Sequence, residues 1–227
     1  MIERLLFGTG TGRCGTKSLA ILFSQQSKIA VSHERFLLNW QKPSRADLDL
    51  AVTMCRREPY QAYMWNGEKW ARREHWNREA EHMGDIAPMY LAYTSWLIDY
   101  GAKIVCLQRD KDATVDSFLR QRYDHCSERP APDVRPPELW WPCHPKFPGT
   151  REEAARQFWD AFYALAHDFE HKYPAQFRVF PMEALNCEKG QADILYFAGV
   201  APPYVHVTVD SRHAVVTQPC RFYGGTE

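Results

Sequence analysis

The feature that most constrains the fold of this chain lies in its first 24 residues. An apolar stretch at 4–7 runs into a glycine-rich segment at 8–15, and leucine and phenylalanine then recur at helical spacing. This order predicts a β-strand, a tight turn and an α-helix. The backbone N–H groups of such a turn, together with the helix N-terminus that follows, form a binding site for an anion.

The predicted turn also carries positive charge and hydroxyl groups. Arg13 and Lys17 are cations, and Thr16 and Ser18 supply hydroxyl donors. Charge-assisted hydrogen bonds from such groups suit a multiply charged ligand such as a phosphate or a sulfate. The alternative interpretation is a structural turn whose basic residues are incidental.

The remainder of the sequence alternates predicted strands with predicted helices. Strands are expected at 28–32, 103–108, 177–180 and 204–209, and helices at 44–55, 89–100, 113–120, 150–172 and 192–197. The tryptophan-containing polar stretch 56–82 predicts one or two surface helices. In the long helix at 150–172, the predicted buried stripe is Phe158, Phe162, Leu165 and Phe169. The pattern predicts a single α/β domain over 1–227, with a central parallel β-sheet flanked by helices.

A proline-rich and tryptophan-rich segment at about 124–149 predicts a long irregular loop. Its Trp140-Trp141 pair is expected to line an acceptor pocket, because aromatic rings stack on phenols and sugar faces. The pairs His125-Cys126 and Cys143-His144 suggest zinc, but their members are adjacent, whereas common zinc ligands are about 2–4 residues apart. We therefore expect no metal site.

Composition limits the classes of partner. The chain has 28 Lys and Arg residues against 28 Asp and Glu residues, a balance that argues against a nucleic-acid or membrane-surface binder. No apolar run approaches the roughly 20 residues of a membrane span, and no signal peptide is evident. The seven cysteines include no C-x-x-C pair, so reduced thiols and a cytoplasmic location are expected.

Two nucleotide-binding motifs fit the glycine-rich turn only in part. In a Walker A loop the lysine directly follows the last glycine, but here Thr16 precedes Lys17. A magnesium-dependent triphosphatase also needs an acidic residue after a buried strand, and the strand at 103–108 is followed by Arg109. A dinucleotide fingerprint at 10–15 lacks its usual acidic partner, unless Glu34 takes that place.

Three segments, in the expected order, resemble sulfotransferases that use 3′-phosphoadenosine 5′-phosphosulfate (PAPS). The segment 12–18 resembles the family's 5′-phosphosulfate loop, and Arg109 with Ser117 eight residues later resembles its 3′-phosphate motif. Segments 179–185 and 194–200 resemble a later strand and helix of the family. The resemblance implies a P-loop NTPase-like sulfotransferase fold, with PAPS as the donor, adenosine 3′,5′-bisphosphate as the product and no required metal.

The resemblance also implies a set of site residues. The residues expected to bind the donor are Gly12, Arg13, Cys14, Gly15, Thr16, Lys17, Ser18, Arg109 and Ser117. A C-terminal segment with which the cytosolic members of the family contact the 3′-phosphate has no match in 206–227. Apart from the family, an arginine fork and a nearby serine hydroxyl suit a phosphate, although Arg109 could also form a surface ion pair.

Transfer to a hydroxyl or amine acceptor, a small molecule or a carbohydrate, requires a general base. Glu34 is the favoured candidate and His33 is its rival, while the resemblance places Arg13 at the bridging oxygen of the leaving group. Asp85 resembles an acidic position of carbohydrate sulfotransferases, with a helix N-terminal charge as the alternative interpretation. Two other classes of function stay open, namely an ATP- and magnesium-dependent phosphotransferase and a non-catalytic nucleotide-binding module.

Overall fold

The computed structural model of the chain describes residues 4–36, 43–57, 60–61, 64–65, 70–71, 75–76, 79–120 and 147–208. Its strands are β1 (Arg4–Thr9), β2 (Ile29–His33), β3 (Tyr60–Gln61), β4 (Met64–Trp65), β5 (Trp70–Ala71), β6 (His75–Trp76), β7 (His82–Ile86), β8 (Lys103–Gln108) and β9 (Phe177–Pro181).

Helices cover the sheet and connect its strands. The α-helices are α1 (Thr16–Ser24), α2 (Arg45–Arg57), α3 (Thr94–Asp99), α4 (Lys111–Arg120), α5 (Arg151–Lys172) and α6 (Glu188–Phe197). Two 3-10 helices, Pro88–Tyr93 and Met182–Asn186, follow β7 and β9. Helix α5 begins at a capping box in which the Thr150 hydroxyl and the Glu153 carboxylate each accept from the other's backbone N–H.

The five long strands form one parallel sheet in the order β2-β7-β1-β8-β9. Strand β1 lies at its centre, with Gly8 opposite Ile86 of β7 and Thr9 opposite Cys106 of β8. The chain moves from β1 to one side of the sheet and later crosses from β7 to β8 on the other side. The carboxyl ends of all five strands therefore share one edge, and ligands of such sheets bind at the crevice where the strand order reverses. This architecture confirms the predicted α/β class.

Side chains of β1 alternate between two apolar cores. Leu5 and Phe7 pack on the face that α2 and α5 cover, and Leu6 packs on the face that α1 and α6 cover. Burying each such side chain contributes about 1.5–3 kcal/mol. Because both faces of the sheet are buried, β1 is held between two cores.

Strand β7 was not expected from the sequence. Its residues, His-Met-Gly-Asp-Ile, contain a glycine and an aspartate, which are uncommon in strands. The glycine is required by packing, because a Cβ atom at Gly84 would lie 1.7 Å from the carbonyl oxygen of Leu6 in β1. Glycine at position 84 therefore allows the backbone of β7 to pack closely against that of β1.

The prediction of surface helices over 56–82 was wrong. Beyond β7 itself, this region contains short antiparallel pairs, β3 with β6 and, inside it, β4 with β5. The physical reason is that its tryptophan and tyrosine residues favour strands. Asn66-Gly67, between β4 and β5 in the sequence, is also a favoured hairpin dipeptide.

Three further predictions need correction. Residues 88–93 form a 3-10 helix instead of the start of one long α-helix. In α5, Phe158 and Phe162 are buried as predicted and Phe169 is partly buried, but Leu165 is exposed and Tyr163 is buried in its place. Residues 204–208 form no strand.

The backbone of 204–208 pairs with two side chains instead of a neighbouring strand. The Gln26 amide bonds to both the N–H and the carbonyl of Val205, at 3.0 and 2.7 Å. The Gln191 amide does the same for Val207, at 2.9 and 2.7 Å. These four bonds satisfy main-chain groups that a sheet partner would otherwise satisfy.

Several predictions fall outside the described residues. They are most of the loop at 124–149, the two His-Cys pairs within it, and the end of the chain after 208. Within the described residues, Cys14, Cys55, Cys106 and Cys187 are free thiols. None of the described helices combines the length and the apolar character that crossing a membrane requires.

Candidate active site

The glycine-rich turn after β1 has an unusual backbone. Gly12, Arg13 and Gly15 have φ values of 83°, 57° and 90°, in the left-handed region. Left-handed residues build the concave turns that bind anions through backbone N–H groups. For Arg13, which has a Cβ, this conformation costs on the order of 1–3 kcal/mol, and strain of this kind concentrates at functional sites.

Packing beneath the turn fixes its shape. The Cys14 side chain is fully buried, and a Cβ atom at Gly10 would lie 2.3 Å from its sulfur and 2.8 Å from the carbonyl oxygen of Leu107. Burial raises the pKa of Cys14 to about 11, so the thiol is neutral at physiological pH. Cys14 therefore packs beneath the turn as a neutral group and adds no charge to it.

The structure brings Arg13, Arg109 and Ser117 into direct contact. The Arg109 Nη1 donates to the carbonyl oxygen of Arg13 at 3.0 Å, and the Arg13 Nε donates to the Ser117 Oγ at 3.1 Å. Arg109 follows β8 and Ser117 lies in α4, so three separate elements meet here. The first turn and the end of β8 thus form one cationic cluster.

The electrostatics of this cluster favour an anion. Loss of hydration and then the charge of Arg13 lower the pKa of Arg109 from its ordinary value, while nearby Glu183 acts in the opposite direction. A guanidinium nevertheless stays protonated in proteins, so the two arginines repel each other. A bound anion would relieve that repulsion.

Two buried polar atoms of this region have no hydrogen-bond partner among the described residues. They are the Arg109 Nε and the Ser18 Oγ, and Ser18 is fully buried in the first turn of α1. An unsatisfied buried donor costs about 1–3 kcal/mol, so such groups call for an explanation. A ligand with anionic oxygens is one.

Two side chains of helix α5 donate hydrogen bonds to backbone carbonyl oxygens at the end of β8, next to the cationic cluster. The Trp159 Nε1 donates to the carbonyl oxygen of Arg109 at 3.1 Å. The Tyr163 hydroxyl donates to the carbonyl oxygen of Leu107 at 2.8 Å and lies 3.4 Å from the Thr11 hydroxyl. Neither residue was expected from the sequence to act at the site, although their spacing of four places both on one helix face.

His33 lies beside the first turn of α1, and Glu34 directly follows it at the end of β2. The His33 Nε2 is 3.3 Å from the Thr16 hydroxyl. Loss of hydration and then the charge of Lys17 lower the pKa of His33 to about 4. Glu34 reaches solvent, yet the surrounding protein removes part of its hydration and, together with the charge of Asp85, raises its pKa above the ordinary value.

Asp85 is not a solvated charge at a helix N-terminus. It is fully buried near the end of β7 and accepts hydrogen bonds from the Ser32 hydroxyl at 2.6 Å and the Tyr90 hydroxyl at 2.8 Å. The backbone N–H groups of Arg35 and Phe36 donate to it at 3.2 and 3.5 Å. Asp85 thereby connects β2, the turn after it and the 3-10 helix.

The structure thus places the predicted site residues at one edge of the sheet. Lys17 is half-buried in the first turn of α1, next to Thr16 and Ser18. Among the described residues, no three His, Cys, Asp or Glu side chains come together in an arrangement that could hold a metal ion.

A glycine-rich turn after the central strand of this parallel sheet defines a P-loop-like α/β fold. A solved structure with a similar fold is the crystal structure of a sulfotransferase from Alicyclobacillus acidocaldarius, with a TM-score of 0.52 and 17% sequence identity. The match covers 96% of this chain and 88% of that one. No protein-family model matches the sequence, and no curated protein sequence does either. The chain has the sulfotransferase fold that the sequence motifs predicted.

Proposed function

We propose that the chain transfers a sulfuryl group from PAPS to a hydroxyl or amine of a small-molecule or carbohydrate acceptor. The observation that carries this proposal is the contact of Arg109 with the backbone of Arg13. It brings two cationic regions within one hydrogen bond of each other. A single nucleotide with anionic groups at both its 5′ and 3′ positions can therefore occupy both regions at once.

The residues of the site fit such a donor. The turn at 12–18 supplies backbone N–H groups, and Ser18 supplies a buried hydroxyl for the 5′ phosphosulfate. Arg109, with its unpartnered Nε, and Ser117 would bind the 3′-phosphate through charge-assisted hydrogen bonds. The donor, when bound, supplies the sulfuryl group and a phosphate leaving group.

Arg13 and Lys17 stabilise the negative charge that develops on the leaving group. Fixed positive charges aimed at developing charge are often the largest contribution to catalysis, because they need no rearrangement during the reaction. Arg13 is held for this task by its left-handed backbone and its bond to Ser117.

Glu34 is the general base. Loss of hydration and the charge of Asp85 raise its pKa and so favour proton uptake, whereas loss of hydration lowers the pKa of His33 to about 4. The His33 ring is also engaged with Thr16 in the first turn of α1. His33 is thus a neutral contact of the donor-binding turn, and Glu34 accepts the proton of the acceptor.

Magnesium-dependent phosphoryl transfer is less well supported. The residue after β8 is Arg109, which repels a metal ion and attracts an anion. Near the end of β7, on the other side of β1, the Asp85 carboxylate is already taken up by four protein donors.

Ligand-dependent thermal stability tests the proposal. Adenosine 3′,5′-bisphosphate should raise the unfolding temperature equally with and without a chelator, and ATP with magnesium should have a smaller effect. Transfer from labelled PAPS to a panel of phenols, sugars and amines then identifies the acceptor. Stabilisation by ATP only with magnesium, together with no transfer to any acceptor, would refute the proposal.

A further inference from the structure

The backbone at Glu34 is strained. Its φ of 52° lies in the left-handed region, which residues with a Cβ rarely adopt. The N–H of Glu34 donates to the carbonyl oxygen of Ile86 at 3.0 Å, so the ladder between β2 and β7 holds the turn at its start. A second support holds the end of the turn at 34–36.

Asp85 provides that support. Its carboxylate accepts hydrogen bonds from the backbone N–H groups of Arg35 and Phe36, which are the two residues after Glu34. The Ser32 and Tyr90 hydroxyls fix the carboxylate itself from two other elements. A buried carboxylate that accepts several hydrogen bonds is tightly oriented, and removing it would leave those donors unsatisfied.

We propose that Asp85 is a positioning residue for the transfer reaction, which fixes the turn at 34–36 and thereby holds Glu34 in place at the carboxyl end of β2. This inference rests on the proposed function. Asp85 itself does not contact the reacting atoms, because its oxygens are bonded within the protein.

Asp85 also affects the basicity of Glu34. Its negative charge favours the protonated form of Glu34 and contributes to the raised pKa of that residue. Burial raises the pKa of Asp85 as well, and its hydrogen bonds act in the opposite direction.

The other charged or titratable groups around this pair come from several elements. They are Cys55 in α2, Tyr90 in the first 3-10 helix, Arg35 in the turn, and His33 with Lys17 on the side of α1.

Two substitutions separate the roles of shape and charge. Asp85→Ala removes the acceptor, and the turn is released. Asp85→Asn keeps one acceptor oxygen for the backbone N–H groups, and its amide can donate to a hydroxyl instead, so the shape is kept and the charge is lost. Asp99→Ala, at an exposed aspartate in α3 that pairs with Arg45, is the matched control.

The inference predicts a split between turnover and donor binding. Asp85→Ala should lower kcat about 10- to 100-fold, because a small displacement of a catalytic base has an effect of this size. The Kd of adenosine 3′,5′-bisphosphate should change by less than about twofold. Asp85→Asn should recover most of kcat. Its acidic limb of kcat against pH should lie at lower pH, because Glu34 loses a neighbouring negative charge. The control should match the unsubstituted protein in both quantities.

Other results would overturn the inference. Normal kcat in Asp85→Ala, or no recovery in Asp85→Asn, would show that Asp85 does not position the base. If Asp85→Ala fails to fold, Tyr90→Phe replaces it, and a several-fold loss of kcat with unchanged bisphosphate affinity is then required. Failure of the proposed function looks different, since the unsubstituted protein itself would transfer to no acceptor.

Discussion

Replacing Arg109 by alanine provides a quantitative test of the donor site. Arg109 is 7% exposed, and its guanidinium donates to the backbone of Arg13 and retains an Nε with no partner among the described residues. A hydrogen bond to a charged group contributes about 1.5–3 kcal/mol. At about 1.4 kcal/mol for each factor of ten, Arg109→Ala should raise the Kd of adenosine 3′,5′-bisphosphate about 10- to 150-fold.

The comparison ligand is adenosine 5′-monophosphate, which lacks the 3′-phosphate. Its Kd should change by less than about threefold, because Arg109 loses two contacts and only the one with the 3′-phosphate would involve the nucleotide directly. Titration calorimetry at one fixed salt concentration measures both constants. The Kd of Arg109→Lys for the bisphosphate should lie between the values for the unsubstituted protein and for Arg109→Ala, since lysine keeps the charge but loses the planar fork. Arg156→Ala, at an ion-paired surface arginine of α5, is the matched control and should change neither constant.

The result that would refute this reasoning is an equal loss of affinity for both nucleotides. Arg109 would then act only by supporting the turn at Arg13, and the 3′-phosphate would bind elsewhere. An unchanged Kd for the bisphosphate would refute it as well. Circular dichroism of Arg109→Ala checks that the sheet and helices are retained.

Three other substitutions test the site and the fold. Glu34→Gln should lower kcat by about 10²–10⁴-fold, the usual contribution of a general base, with bisphosphate affinity retained; in the unsubstituted enzyme kcat should fall as pH drops through the raised pKa of Glu34. Between pH 6.5 and about 4 the unfolded chain binds a proton at His33 that the folded chain does not, so the unfolding free energy falls as the pH falls. His33→Gln should make this decrease smaller, as measured by urea titrations at several pH values. Tyr163→Phe should lower the unfolding free energy by about 1–3 kcal/mol in urea, because the carbonyl of Leu107 loses its donor, and a change below that range would contradict this.

The parts of the fold that the sequence could predict are those set by local pattern. The glycine-rich turn, the apolar strand β8 and the capping box at Thr150 each combine a residue type with a short-range geometry. The parallel sheet then follows from alternating strands and helices, because parallel strands need crossover connections. The position of Arg109 at the end of β8 could be predicted for the same reason, because this residue directly follows an apolar strand pattern.

What the sequence could not predict depends on contacts between distant residues. Strand β7 exists because Gly84 allows its backbone to approach Leu6, and no pattern within 82–86 shows this. The role of Asp85 depends on donors from three other segments. Trp159 and Tyr163 act on backbone carbonyls, which any sequence supplies equally. In 60–76, apolar residues in a polar stretch were compatible with either helix or strand, and the Asn-Gly dipeptide was the overlooked signal.

The order of the strands along the chain sets an interval between the synthesis of β1 and the synthesis of its partner strands. Strand β1 is made before both of its neighbours, since β7 begins at His82 and β8 ends at Gln108. At ribosomal rates of about 5–20 residues per second, Leu5, Leu6 and Phe7 wait on the order of 5–20 s for partners. During that time the nascent chain presents an unpaired apolar strand, to which chaperones of the hydrophobic-peptide type would bind.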